Sequence, residues 1–302
     1  MFNEMLRGAR RLALPAVNAS REMAKLALLP LRFLPSAQRA DALDLLLSAP
    51  IVVKTPRGEI RMLNHGGGSY WRARTLVTKE PDSITWLDAM QPGSVFWDIG
   101  ANVGFLTLHA AARGDLEVWA FEPAAVNYYN LVANCELNHF EKYVRCLQLG
   151  FGDKNEITDL HVSQLMAGHS FSFKAFKEST RIRAWKKSHP SFQAVQVCTI
   201  DDFIVRYDVP CPNYIKIDVP GLTYEIFVGA RHTLARPELR QIQVEADEHG
   251  KDGLRISELL APYGFKVTGR GMRHKGTIQR DLVFSRVIGD SNPQRLQVLQ
   301  AQ

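Results

Sequence analysis

The sequence predicts an α/β fold: a doubly wound, mostly parallel sheet with helices on both faces. Three observations predict it. From residue 93 onward, short apolar runs alternate with helix-like segments, the pattern of βα units feeding a parallel sheet. The runs "SVFWDI", "LEVWAFE" and "YVRCLQL" are too continuously apolar for strands with one wet face, so both faces must be covered. The last two runs, "FKVTG" and "DLVFSR", flank a basic turn at 269–276, which predicts an antiparallel C-terminal hairpin at the sheet edge.

The elements follow in order. Residues 1–48 interleave Leu, Met and Ala with Arg and Lys, and Pro30 and Pro35 divide them. They read as a helical cap on the main domain; the alternative is an amphipathic arm, over residues 1–35, that touches a membrane surface or a partner. "IVVKTPRGEIRML" (51–63) reads as two short strands around Pro56-Arg57-Gly58. "HGGGSY" (65–70) reads as a turn and not a phosphate loop, because no GK[ST] follows it. These segments form an N-terminal helical and β-hairpin cap, residues 1–90. The main domain spans 91–288, with an insertion at about 155–197, and a Gln-rich tail covers 289–302. Within the domain, helices are expected over 103–113, 126–138, 222–235 and "ISELLAPY".

Composition narrows the function classes. Lys and Arg number 37 against 31 Asp and Glu, a formal charge of +6, which favours anionic partners only mildly. The four cysteines form no CxxC pair and no Cys/His cluster with zinc spacing. Scattered cysteines of this kind suggest free thiols in a reducing compartment, so a cytoplasmic protein is expected. Pro15, Arg21, Lys25 and Pro30 interrupt the N-terminal stretch, so a signal peptide is not expected, and no apolar run approaches the ~20 residues of a membrane span.

In a doubly wound sheet, ligands bind beyond the carboxyl ends of the strands. The first such turn reads "DIGANVG", residues 98–104. Gly100 lets the chain turn sharply, and Gly104 permits close packing or admits a ligand. A dinucleotide motif would place its second glycine where Asn102 stands. Asp98 at the strand end would also repel phosphate. Both departures argue against NAD, FAD or ATP and suit S-adenosylmethionine, which has no phosphate and carries an ammonium and a sulfonium. Glu122 ends the next strand, about 20 residues downstream of the turn, where an acid can accept from both ribose hydroxyls. The competing reading makes Gly100 and Gly104 plain packing glycines and Glu122 a solvated strand end.

The segments "TKEPDSITWLDAMQPGSVFWDIGANVGFLTLHAA", "VWAFEPAAVNYYNLVANCELN", "TIDDF", "NYIKIDVPG" and "VGARHTL" carry a resemblance to the FkbM-family methyltransferases, class I S-adenosylmethionine-dependent enzymes. It covers about residues 50–285. The resemblance implies a seven-stranded sheet with a reversed last strand, and methyl transfer to an oxygen of a sugar or secondary metabolite. It implies that Asp98, Gly100, Ala101, Asn102 and Gly104 line the methionine half of the cofactor. By the same resemblance Glu122 and Pro123 hold the ribose with Asn127 nearby, and Gly152 and Asp153 lie near the adenine. One departure stands out: the family's usual "KIDVEG" is "KIDVPG" here, so Pro220 and Thr223 occupy positions where carboxylates are common. Lys216 and Asp218 are retained.

A hydroxyl acceptor must lose its proton, which a nearby base assists. Asp218 is the first candidate for that base or for orienting the acceptor, and a turn cap is its structural alternative. Glu245, Asp247 and His249 in "VEADEH" follow, and His169 in "MAGHSFSF" could swing over the site. Asp218 with Glu245 or Asp247 could also hold Mg²⁺, although no fixed-spacing metal motif occurs. Lys216 is counted with the acceptor-binding residues. The segment 171–187 holds Arg181, Arg183 and Lys186 among six basic residues, interleaved with Phe173, Phe176 and Trp185. It is expected either to bind an anionic or glycan acceptor or to form a solvated basic face. Two other functions compete. A nucleic-acid methyltransferase is disfavoured, because the D/N-P-P-Y/F turn is absent and Pro210-Cys211 precedes the fourth strand. The other is a non-catalytic scaffold on the same fold.

Overall fold

The computed structural model describes residues 50–64, 80–161, 192–273 and 279–287, with positions 33, 35–38, 73, 75 and 172–173. The chain divides into two compact units, Met1–Ala49 and Pro50–Gln302, and the sheet lies in the second.

The hairpin expected near residue 56 forms from β1 (Ile51–Thr55) and β2 (Gly58–Met62), antiparallel with Thr55 opposite Gly58. Helix α1 (Pro81–Asp88) follows, with proline in its first turn, where its missing N–H is no loss. The main sheet then builds in βα steps: β3 (Val95–Ile99), α2 (Phe105–Ala111), β4 (Glu117–Phe121), α3 (Ala125–Leu137) and β5 (Val144–Leu147). After an excursion through β6 (Gly150–Phe151), β7 (Glu156–His161), β8 (Ser172–Phe173), β9 (Phe192–Cys198) and α4 (Ile200–Tyr207), the chain returns as β10 (Tyr214–Ile217). Helices α5 (Thr223–Val228) and α6 (Arg231–Ala235), strand β11 (Gln241–Ala246), helix α7 (Lys251–Leu260) and the hairpin β12 (Phe265–Arg273)–β13 (Arg280–Arg286) complete it.

The seven strands run in the order β12-β13-β11-β10-β3-β4-β5. β11, β10, β3, β4 and β5 are parallel, and β13 runs against both of its neighbours. The expected mostly parallel sheet with an antiparallel hairpin at its end is therefore present. The order reverses between β3 and β10, so the switch point falls where "DIGANVG" leaves β3.

The two sheet faces differ. One carries Trp97, Ile215, Ile242 and Phe284 in register, then Ile99, Ile217, Val244 and Leu282, all buried in one apolar core. The other begins apolar with Phe96 and Tyr214, then places Asp98, Lys216 and Gln243 side by side. All three are buried. A buried polar row needs partners, and helices α1 and α2 supply some of them. Ser83 donates to Asp281 (3.2 Å) and accepts from Gln243 (3.1 Å), while Thr107 donates to Asp98 (2.6 Å). Trp86 Nε1 donates to Gln241 (2.8 Å), and Asp88 accepts from Arg57 (2.6 Å). These bonds fix α1 against the polar face of the sheet and the first hairpin.

Two expectations are refined. The helix expected over 222–235 is broken at Gly229, where an added Cβ would overlap the carbonyl oxygen of Gly152. A new helix starts two residues later because the Asp201 carboxylate accepts from the N–H groups of His232 and Thr233 (2.8 Å each) and from Thr233 Oγ1 (2.6 Å). The segments "TIDDF" and "VGARHTL" are thus joined by one carboxylate, and Asp201 has a structural role. Asp201→Ala removes this cap and is expected to lower stability by about 1–3 kcal/mol, read as a lower midpoint in urea unfolding. The excursion between β5 and β10, expected only as an insertion, contributes a separate four-stranded sheet in the order β6-β9-β7-β8.

Candidate functional site

The turn after β3 is held by backbone bonds. The N–H groups of Gly100 and Ala101 both donate to the Phe121 carbonyl (2.9 and 3.0 Å), which ties the first turn to the end of β4. Gly100 has φ +83°, and a Cβ there would lie 2.5 Å from the Asp218 carbonyl oxygen. Only glycine lets the turn pass this close to the end of β10. Asn102 also adopts a left-handed conformation, φ +54°, which asparagine tolerates better than most side chains. Its own Oδ1 accepts from the Val103 N–H (3.0 Å). Gly104 caps α2 at φ +90°, and a Cβ there would lie 2.5 Å from Leu131 Cδ1 of α3.

Glu122 is buried, not a solvated strand end. Its Oε2 accepts from the Asn102 N–H (2.9 Å) and its Oε1 from the Ala124 N–H (2.8 Å). The carboxylate therefore joins the glycine turn to the start of α3. Asn127, on α3, is buried, and the Pro123 carbonyl accepts from Gln193 (2.9 Å).

Asp98, Gly100, Ala101 and Asn102 line a cavity of about 30 Å³ together with Lys216, Asp218 and Glu80. Asp98 is fully enclosed. Its Oδ2 takes the Thr107 hydroxyl, and its Oδ1 is buried with no hydrogen-bond partner among the described residues. Burial pushes its carboxyl above the usual carboxylate range, opposed by the Lys216 charge and the Thr107 bond. Lys216 Nζ lies 3.3 Å from Asp218 Oδ2. Burial works against the Lys216 charge, but Asp218, Asp98, Glu80 and Asp281 outweigh it and hold the ammonium above its ordinary range.

The other expected site residues fall elsewhere. Glu245 and Asp247 line a second cavity of about 210 Å³ beyond β11, with Thr223, Lys251 and Arg255. The Arg255 guanidinium stacks 3.8 Å from the Tyr224 ring centre on its wall. Asp247 shapes the turn into α7, packing its side chain against Gly250 and its carbonyl against Gly253. His249 is exposed. Gly152 and Asp153 line a third cavity of about 280 Å³ with Phe151, Leu222 and Glu225. Among the described residues no group of three or more His, Cys, Asp or Glu is arranged to hold a metal. His169, Arg181, Arg183 and Lys186 lie outside the described residues. Sequence reasoning missed Glu80, Ser83, Thr107, Gln243 and Asp281. The available signal was the polar residue at alternate positions of apolar strands, Lys216 in "YIKI" and Gln243 in "QIQV".

A doubly wound sheet with a reversed β13, a glycine turn at its switch point and a buried acid closing β4 defines a Rossmann-like methyltransferase domain. The sequence profile of the methyltransferase FkbM domain matches residues 98–267, just over half of the chain, and the chain belongs to this family of methyltransferases. Two curated relatives are distant. The hexuronic acid methyltransferase AglP of Haloferax volcanii is 20% identical over 215 residues, 71% of this chain and 81% of the relative. The 31-O-demethyl-FK506 methyltransferase FkbM of Streptomyces tacrolimicus is 25% identical over 197 residues, 59% and 75% of the two chains. Among solved structures, a methyltransferase FkbM from Methylobacillus flagellatus KT is 16% identical with a TM-score of 0.45 over 72% of this chain. This chain spans 53% of that protein's length. No helix among the described residues is long and apolar enough to cross a membrane.

Proposed function

We propose that the chain is an S-adenosylmethionine-dependent O-methyltransferase acting on a hydroxyl of a carbohydrate or secondary metabolite. The observation that carries the reading is the buried Glu122 carboxylate, which accepts from the Asn102 and Ala124 N–H groups, Asn102 itself lining the cavity that Asp98 shares. A phosphate would meet repulsion there, whereas a ribose diol and a cationic tail meet acceptors. The orphaned Asp98 Oδ1 and the narrow passage at Gly100 fit such a cofactor. Asp98, Gly100, Ala101, Asn102 and Gly104 would hold its methionine half, Glu122, Pro123 and Asn127 its ribose, and Gly152 and Asp153 its adenine. The names of the two curated relatives, one a hexuronic acid methyltransferase and one acting on 31-O-demethyl-FK506, support an oxygen acceptor.

The bound cofactor supplies an activated sulfonium methyl group. Positioning the acceptor in line with it contributes up to ~7–11 kcal/mol of the barrier. Asp218 takes or orients the hydroxyl proton, a step worth typically ~10²–10⁴-fold, and Lys216 fixes its carboxylate through the 3.3 Å ion pair. Glu245, on the wall of the larger cavity, is the second candidate. The basic segment with Arg181, Arg183 and Lys186 is proposed to meet an anionic or glycan acceptor.

The test is methyl transfer from tritiated S-adenosylmethionine to size-fractionated cell extracts. The expected product is a small-molecule or glycan fraction whose label survives both mild alkali and ribonuclease, as an ether would. Release as methanol would make the acceptor a carboxylate, and ribonuclease sensitivity would favour the nucleic-acid reading.

A further inference from the structure

We propose that Cys135 and Cys146 form a peroxide-responsive modification site, oxidised to an intramolecular disulfide that ties α3 to β5. The inference stands apart from the S-adenosylmethionine reading and concerns two thiols that the proposed methyl transfer does not use.

The two sulfurs lie 3.8 Å apart, and both cysteines are free. Cys135 belongs to α3 and Cys146 to β5, the strand that ends the main sheet. A disulfide needs about 2.05 Å between its sulfurs, so a side-chain rotation and a small shift of this outer strand suffice to close the gap. The pair is asymmetric: Cys135 is buried in the apolar core, and Cys146 is half-buried. Cys146 is therefore the thiol that an oxidant in solvent meets first. Hydrogen bonding from the Cys135 thiol holds Cys146 below the usual thiol range, against the opposing effect of burial, and the thiolate is the reactive form. Cys198 and Cys211 differ on both counts. Burial pushes each up to about 11, and neither has a sulfur neighbour among the described residues.

The oxidant is hydrogen peroxide. The Cys146 thiolate attacks one peroxide oxygen, the O–O bond breaks, and a sulfenic acid on Cys146 and hydroxide result. The Cys135 sulfur then attacks the sulfenic sulfur: the S–S bond forms, the S–O bond breaks, and the oxygen leaves as water with the Cys135 proton. Two thiols thus lose two electrons to one peroxide, and a dithiol reductant reverses the change by exchange. The disulfide would bridge the two elements between which Glu122 is held. Ala124, just before α3, donates to the Glu122 carboxylate (2.8 Å), and the Leu147 carbonyl, next to Cys146 in β5, accepts from the Glu122 N–H (3.1 Å).

The experiment treats the reduced full chain with hydrogen peroxide at neutral pH, at a dose that fully oxidises glutathione in a parallel tube. Catalase stops the reaction, N-ethylmaleimide blocks the remaining thiols in denaturant, and tryptic peptides are weighed without reduction. Cys135 and Cys146 fall in separate peptides, 114–142 and 146–154, so their linkage is read directly. The expected product is this linked pair, formed at least about tenfold faster than Cys198 or Cys211 is consumed and lost on treatment with dithiothreitol. In Cys135→Ser, dimedone should trap Cys146 as the sulfenic acid; in Cys146→Ser, Cys135 should remain a thiol. Maleimide on both cysteines of the wild type would overturn the proposal. So would a bond between two chains, or the mixture of linkages that the urea-unfolded protein gives. Should a serine variant fail to fold, the wild-type peptide map alone decides.

Discussion

Glu122→Ala is expected to weaken S-adenosylhomocysteine binding by about 100-fold or more. The magnitude follows from two bonds between a charged acceptor and the ribose hydroxyls, each worth about 1.5–3 kcal/mol. The substitution also orphans the N–H groups of Asn102 and Ala124, both bonded to this carboxylate. Each buried, unsatisfied group costs about 1–3 kcal/mol, so the melting temperature should fall as well. Glu122→Gln separates the two effects. Its amide oxygen can still accept one of the two N–H groups, while its NH₂ faces a second donor where a lone pair is needed. The glutamine variant should therefore recover part of the stability and little of the affinity. Calorimetric titration beside a thermal melt reads both quantities. Affinity within about twofold of wild type in the alanine variant, a difference of less than about half a kcal/mol, would remove Glu122 from the ribose site.

Gly100→Ala is expected to cost the protein both stability and methyl transfer. At φ +83° an alanine bears roughly 1–2 kcal/mol of backbone strain. Its Cβ would also sit 2.5 Å from the Asp218 carbonyl oxygen and 3.1 Å from Val219 Cγ2. Backbone cannot swing aside as a flexible side chain can, so the end of β10 must move, adding about 1–3 kcal/mol. The displaced residue is Asp218, so loss of stability and loss of methyl transfer should appear together. Gly93→Ala is the control: it has φ +75° but nothing within 4 Å of the added carbon, and only the backbone strain should register. Urea unfolding of the two variants distinguishes them, and equal destabilisation would show that the contact with β10 carries no weight.

Much of the fold is legible in the sequence because its signals are local. β3 and β4 are nearly continuous apolar runs, and the glycine turn and Glu122 each lie at the end of one. What the sequence conceals is assembled from distant parts of the chain. The break between α5 and α6 arises from Gly229 against Gly152 and from the Asp201 cap, and both partners come from outside the helical stretch. The small sheet of β6, β7, β8 and β9 lies hidden in what reads as an insertion, although Val195 and Val197 flank Gln196 in "FQAVQVC" as in a half-buried strand.

The candidate site divides in the same way. Asp98, Gly100, Ala101 and Asn102 are nearly contiguous and stand out together. Lys216 and Asp218 stand out singly, and only strand register sets Lys216 beside Asp98. Gln243 and Asp281 carry no motif at all, and Glu80 stands out within its segment by nothing but its charge. They join the polar face because α1 and β13 flank it, and a one-residue register shift would send Gln243 to the opposite face. Asp218 and Glu245, alternatives on sequence grounds, line different cavities. Asp218 shares its cavity with Asp98 and Lys216, and Glu245 shares its own with Asp247 and Arg255.

The proposed function has at its centre a pocket for a nucleoside without phosphate, whose diol Glu122 would hold and whose cationic tail Asp98 would meet. Calorimetric titration of the full chain with S-adenosylhomocysteine, run beside NAD under the same conditions, tests it most directly. Saturable one-to-one binding of S-adenosylhomocysteine with no heat from NAD is the predicted result. Binding of NAD, or silence with S-adenosylhomocysteine at millimolar concentration, would contradict it.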